Sequence, residues 1–277
     1  MTVINTNTGS LYAQQAMTSN ARGLSTVMQQ LSTGKRINNA VDDVAGMAIS
    51  TRLTSQIRGL NQAVRNTNDG ISLIQTAEGA TEQVTNMLQR MRELAVQASN
   101  DTNNSSDRSY LNLEFQALTS QIDNIANYTQ WNGADVLNKQ GGASGTFTFQ
   151  VGANSGQSIS ISFSDLGTNT GLMSDVAAQS ITSTSSSSAA LGIIVSALDT
   201  VSLERSNMGA VISRLQFTSD NLANVSAKAQ ESRSRIEDTD YSQATTELAK
   251  RNIIQQAAQA MLAQANQAPQ AVLQLLR

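Results

Sequence analysis

Few side chains in this 277-residue sequence could do acid–base or metal chemistry, and their spacing suits it poorly. Asp42 and Asp43 stand side by side in NNAVDDVAG (38–46). Two carboxylates become a catalytic pair when their surroundings push their proton affinities apart. Sequence neighbours in a polar stretch lack the pocket that would do this, whereas a helix N-cap, favoured by the helix dipole, suits them. Histidine and cysteine are both absent. The commonest general base and transition-metal ligand is therefore missing, an HExxH zinc site is excluded, and no disulfide is needed in any redox compartment. KQGGASGT (139–146) is glycine-rich, yet it lacks the GK[ST] ending and the preceding strand of a phosphate loop. SITSTSSSS (180–188) reads as a polar connector. Arg90, Arg92 and Glu93 read as a polar helix face flanking Leu88, Met91 and Ala95. No enzyme activity, cofactor or metal is expected.

The composition points to long helices. Aromatic residues make up 4% of the chain and proline occurs once, poor material for a compact enzyme core. A net charge of −3 exerts no strong pull toward nucleic acid or an anionic membrane. The start, MTVINTNTGSLYAQQ, has neither a basic opening nor an apolar run of signal-peptide length, so a cleaved secretory signal is not expected. At the other end, the 25 residues between Arg251 and Arg277 carry no charge, and 15 of them are Ala, Ile, Leu, Met or Val. Seven Gln, two Asn and Pro269 interrupt this tail and would be costly in hydrocarbon, so membrane insertion is not expected either.

The tail instead repeats like a coiled coil. Ile254, Ala258, Met261, Ala265, Ala268, Val272 and Leu275 alternate steps of four and three. The first 34 residues, with Arg22 as their only charge, follow the same rhythm at Met17, Ala21, Leu24, Met28 and Leu31. Two such ends would pair, driven by roughly 1.5–3 kcal/mol for each large apolar side chain buried. Their outer faces, rich in amides and hydroxyls, could bond to neighbours without the desolvation cost of charge. The expectation is a helix pair that packs against further copies of itself. Its interface is assigned to Met17, Leu24, Met28, Leu31, Ile254, Met261, Val272 and Leu275. Pro269 should kink the tail.

Between the ends, Leu53, Ile57, Leu60, Val64, Ile71 and Ile74 form one seam, which shifts to Ala77, Val84, Leu88, Met91 and Ala95 near Gly70 and Gly79. NDTNNSSD (100–107) reads as a turn and N-cap. A shorter helix follows with Leu111, Phe115, Leu118, Ile122 and Ile125 on one face, ended by WNGADVLN (131–138). A second long helix spans about 189–236, where Ile194, Val201, Met208, Leu215, Leu222, Ala229 and Ile236 stand seven apart. TFTFQV (146–151) and QSISISF (157–163) alternate at period two and form a hairpin across GANSG (152–156). The predicted fold is mainly α: a long antiparallel helical coiled-coil rod folded back on itself, N- and C-terminal helices paired, with a small β-hairpin region at about 141–180.

The motifs also resemble those of a family. LSTGKRINNAVDDVAGMAIS (31–50), QRMRELAVQASNDTN (89–103), IDNIANYTQWNG (122–133), FQVGAN (149–154) and MLAQANQAPQAVLQLLR (261–277) are similar, in order, to bacterial flagellin. The resemblance covers both ends and nearly the whole chain. It implies a structural subunit that polymerises into the filament of the flagellum, the swimming propeller, outside the cell. Residues 1–43 and 237–277 would form an inner helical domain and 44–236 an outer one, with Asn39, Asp42 and Asp43 in the spoke joining them. Implied partners are other copies, a flagellar export chaperone, filament cap and hook-associated proteins, and type III export would deliver the chain. Residue by residue, Arg90, Leu94, Gln97 and Glu114 match the family's subunit-contact face, which in many members is read by Toll-like receptor 5. Candidate O-glycan acceptors are Ser155, Ser183, Ser185 and Ser186. The alternatives are a hook–filament junction protein of the same superfamily, or an additional role as a ligand of the host innate receptor.

Overall fold

A computed structural model of the chain describes residues 6–168 and 171–275, with side chains for 6–168 and 171–267. Six helices and two small sheets follow in order: α1 (Thr8–Thr33), α2 (Val44–Ala98), α3 (Ser105–Tyr128), β1 (Gln130–Trp131), β2 (Ala134–Asp135), β3 (Thr146–Gln150), β4 (Ser158–Ser162), α4 (Ser174–Ala177), α5 (Thr184–Glu237) and α6 (Tyr241–Leu275). The fold is mainly α, as the periodicity predicts. It divides into two compact units, Met1–Ile57 with Ala227–Arg277, and Arg58–Ser226. The expected division at 43/44 and 236/237 therefore falls inside the first unit.

Local chemistry sets the helix ends. The Asn7 side chain accepts from Ser10 N at 3.1 Å to open α1, and Gly34, at φ 71°, closes it with an N–H to the Gln30 carbonyl. Asp43 Oδ1 accepts from Gly46 N at 2.8 Å to cap α2. Asn104 and Asp107 make a reciprocal capping box on α3. Asp240 Oδ1 accepts from Ser242 N at 2.9 Å at the start of α6.

In the first unit α1 and α6 run antiparallel, held by polar bonds at both ends and the middle. Asn7 Nδ2 donates to the Ala265 carbonyl at 2.7 Å, Asn20 Nδ2 to the Arg251 carbonyl at 2.8 Å, and the Tyr241 hydroxyl to the Leu31 carbonyl at 3.0 Å. The four–three rhythm is present, but its phase differs from expectation. On α1 the covered row is Ala13, Met17, Asn20, Leu24, Val27 and Leu31; on α6 it is Ala244, Leu248, Arg251, Gln255, Ala258, Leu262 and Ala265. Ala21, Met28, Ile254 and Met261 lie one residue off these rows and are exposed. The physical reason is that Asn20 and Arg251 enter the seam by bonding across it, which rotates their larger apolar neighbours outward. Helix α6 continues past Pro269, whose side chain, like those of Ala268, Val272 and Leu275, lies outside the described residues.

The second unit has the larger core. Ile74, Leu88, Met91 and Leu94 of α2 are buried with Phe115 and Ile122 of α3, Phe163, Leu166, Met173, Ile181, and Ile194 of α5. The expected hairpin forms from β3 and β4, with Phe147 paired to Ile161 and Phe149 to Ile159. Gly70 leaves room for the Phe149 ring, which a Cβ there would meet at 3.0 Å. The seam shift along α2 thus marks where the hairpin joins the helices, and the helix itself stays continuous. Two segments to which the sequence pattern assigns no helix or strand are ordered. WNGADVLN folds into the β1–β2 hairpin, with Asn132 at φ 50° and Gly133 at φ 78° in its two-residue turn. SITSTSSSS is no loop from Thr184 onward but the first turns of α5. By length and composition α5 could cross a membrane, yet it puts Ala190, Ile194, Ala197 and Val201 into this core.

Candidate assembly surface

The α1–α6 seam mixes Ala13, Ala244, Asn20 and Gln255 with larger apolar residues such as Val27 and Leu248, while other large apolar residues of both helices stay outside. Met28 is 57% exposed, Ile254 42% and Met261 63%. Met17, Leu24 and Leu31 are half-buried in the seam. Leu11, Tyr12 and Ile253, which the periodicity leaves unassigned, are also exposed. Their signal in the sequence is an apolar residue off the seam in a segment with almost no charge. Glu247, Lys250 and Arg251 cluster at one level of α6, with Lys250 Nζ 3.5 Å and Arg251 Nε 3.0 Å from Glu247. Beyond Arg251 the helix offers only amides and apolar groups to its surroundings.

The crossing next to this pair is tied by ions. Lys35 Nζ lies 2.5 Å from Glu237 Oε1, and Ser50 Oγ donates to Glu237 Oε2 at 2.7 Å. Arg36 N donates to the Glu237 carbonyl, and Thr239 N to the Gly34 carbonyl. The Lys35 hydrogen bond first, then that from Ser50, holds the Glu237 carboxyl below the usual carboxylate range. Within the 38–46 loop, Asp42 Oδ2 accepts from Asn38 N at 3.0 Å and Asn39 N at 2.8 Å. Asp42 thus closes the loop and Asp43 caps α2. Asn39 is exposed.

The second predicted face is partly corrected. Arg90 Nε donates to Glu114 Oε1 and Nη1 to Glu93 Oε2, both at 2.9 Å. The Glu114 bond, then that from Glu93, raises the Arg90 pKa further. Gln97 is exposed and lines an open groove of about 600 Å³ with Gln89, Arg92, Glu93, Val96 and Leu198. Leu94, by contrast, is 1% exposed and belongs to the core. In this stretch α2 is flanked by both α3 and α5, so its buried arc is wider than a single seam. Leu94 lies beneath this face, in the core.

The serine candidates also divide. Ser183 N donates to Ser186 Oγ at 3.1 Å and Ser186 N to Ser183 Oγ at 3.2 Å, a reciprocal cap on α5. Both hydroxyls are engaged in it. Ser155, in the β3–β4 turn, and Ser185 are exposed.

Comparison with known proteins gives this surface its context. The model of the bacterial flagellin N-terminal helical region matches residues 4–141, and that of the C-terminal helical region matches 191–276. The flagellin of Halalkalibacterium halodurans is 46% identical over 275 residues, covering 99% of this chain and 100% of the relative. The flagellin of Bacillus subtilis is 39% identical over 308 residues, covering 99% of each. The crystal structure of Bacillus cereus flagellin superposes with a TM-score of 0.51 at 29% identity, over 57% of this chain and 88% of that one. Family models at both ends, full-length relatives and a shared helical fold agree: the chain belongs to the bacterial flagellins.

Proposed function

We propose that this flagellin, a structural subunit of the extracellular flagellar filament, joins its neighbours through the uncovered apolar side chains of α1 and α6. One observation carries the reading: Leu11, Tyr12, Met28, Ile253, Ile254 and Met261 are exposed on a helix pair almost without charge. Such a surface is marginal in water and becomes stable when copies bury it. Residues 1–43 and 237–277 act as the inner, self-packing domain and 44–236 as the outer one, with Asn39, Asp42 and Asp43 in the connecting spoke. Val272 and Leu275 continue the same interface. An export chaperone holds the C-terminal helix before assembly, and cap and hook-associated proteins meet the ends of the polymer. Toll-like receptor 5 recognition rests on the resemblance and on Arg90, Gln97 and Glu114 being exposed. Full-length similarity to flagellins disfavours a hook–filament junction protein.

The test is seeded polymerisation of the full chain carrying Ile253→Lys and Met261→Lys. Both sites are exposed and lysine is a good helix former, so the soluble chain keeps its helicity by circular dichroism. Electron microscopy should then find seeds that the parent extends and the variant does not. Extension by the variant at the parent's rate overturns the reading, and a parent that never extends seeds points to the junction protein.

A further inference from the structure

We infer that Gly23 and Arg251 form a register pin that fixes which turn of α1 faces which turn of α6, and so which turns the subunit offers to its neighbours. The last clause rests on the assembly reading; the pin itself does not. A Cβ on Gly23 would overlap the guanidinium of Arg251, so that group lies against bare α1 backbone. One turn away, the buried side chain of Asn20 donates to the carbonyl of the same arginine at 2.8 Å. Glu247, one turn earlier on α6, sits 3.0 Å from Arg251 Nε and adds an ion-pair contact. Arg251 is thus gripped at its main chain and its tip.

The need for a pin follows from the rest of the seam. It consists of Ala, Leu, Val, Met and amide residues on a 3.5-residue repeat, so a slip by one heptad exchanges like for like. A single polar group at a seam position is the device that makes registers unequal. Slipping by seven residues would set Arg251 against Ala16 or Gln30, each with a side chain where Gly23 has none. The Asn20 amide would then meet another main-chain carbonyl of α6, so the space at Gly23 and the tip of Arg251 carry the discrimination. Gly23→Ala removes the open space in the native register, the same change that a slip onto Ala16 imposes, and the flexible tip keeps that cost modest. Specificity of register, more than stability, is what the glycine supplies, and an alanine at this helical site raises helix propensity.

The chain has no cysteine, which permits a direct test with introduced pairs. A Cβ on Gly9 would lie 3.8 Å from Ala265 Cβ, within disulfide range, so Gly9→Cys with Ala265→Cys reports the native register. Gly9→Cys with Ala258→Cys reports a slip of one heptad. Each pair is oxidised in the full-length chain, before and after assembly, alone and with Gly23→Ala or Arg251→Met. Either variant should lower the ratio of native to slipped disulfide by about threefold or more, with helicity unchanged or higher. Arg251→Met keeps the stem and leaves Gly23 intact, so it decides the matter if Gly23→Ala disturbs α1. An unchanged ratio in both variants overturns the pin. A parent chain that links 9 to 265 but never extends seeds overturns the assembly reading and leaves the pin standing.

Discussion

Glu237 accepts from Lys35 and Ser50 while its carbonyl takes the N–H of Arg36, so α2, α5 and the 34–37 segment meet on one residue. Its pKa is lowered, chiefly by the Lys35 bond, so its contribution is full above the ordinary carboxylate pKa and is lost as pH falls through the lowered one. Glu237→Gln should therefore weaken the parent at neutral pH, and the gap between the two should close as pH drops below about 4. Urea denaturation followed from pH 7 to pH 3 measures it; a gap that stays constant would show that Glu237 titrates alike folded and unfolded. Arg90 is a different kind of residue. Its ion pairs with Glu114 and Glu93 lie on an exposed face, where solvent screens them, and they shape that face more than they stabilise the fold.

At the level of elements, a helix start decides what a serine can do. Ser183 and Ser186 bond each other's backbone at the head of α5, whereas Ser185 points outward. Ser183→Ala should cost about 0.5–2 kcal/mol, the usual loss for an N-cap, and Ser185→Ala close to nothing. Trp131 packs against the same core, so its fluorescence in urea reads both variants. Equal losses would mean that the serine cluster does not work as a cap. The same elements show what was legible beforehand. Periodicity placed every described helix longer than one turn and the β3–β4 hairpin, because burying one face imposes a repeat of 3.5 or 2 on the residue types. It did not fix the phase of the α1–α6 seam. Rows through Ala21 and Met28, or through Asn20 and Val27, differ by one residue, and only the bond from Asn20 to the Arg251 carbonyl separates them. Leu94 was misplaced for a related reason: a helix with two neighbours buries a wide arc, and one sequence does not count neighbours. The Asn132–Gly133 turn was legible and passed over, since that dipeptide is the strongest short-range hairpin signal.

For the whole molecule, the two units differ in how much large apolar surface each buries by itself. In Arg58–Ser226 the side chains of Phe115, Phe163, Ile74, Leu88, Met91, Ile122 and Leu137 are essentially inaccessible, each contributing roughly 1.5–3 kcal/mol. The unit of Met1–Ile57 and Ala227–Arg277 buries chiefly Val27, Ile37, Ile57, Ala229 and Ala244 among its described residues, none of them fully, and leaves Tyr12, Met28, Ile253 and Met261 in water. Ordering its helices costs about 1–2 kcal/mol per residue in backbone entropy, which so thin a seam offsets only in part. On the assembly reading proposed above, burial against other copies supplies the remainder. In dilute solution, amide protons of α1 and α6 should therefore exchange orders of magnitude faster than those of α2 near Leu88 or α5 near Ile194. After assembly the α1 and α6 amides should slow to match, while the others change little. Hydrogen exchange read by mass spectrometry on the soluble chain and on filaments separates the cases. Full protection of α1 and α6 in the lone chain would mean that the pair is stable by itself, and its uncovered apolar residues would then need another explanation.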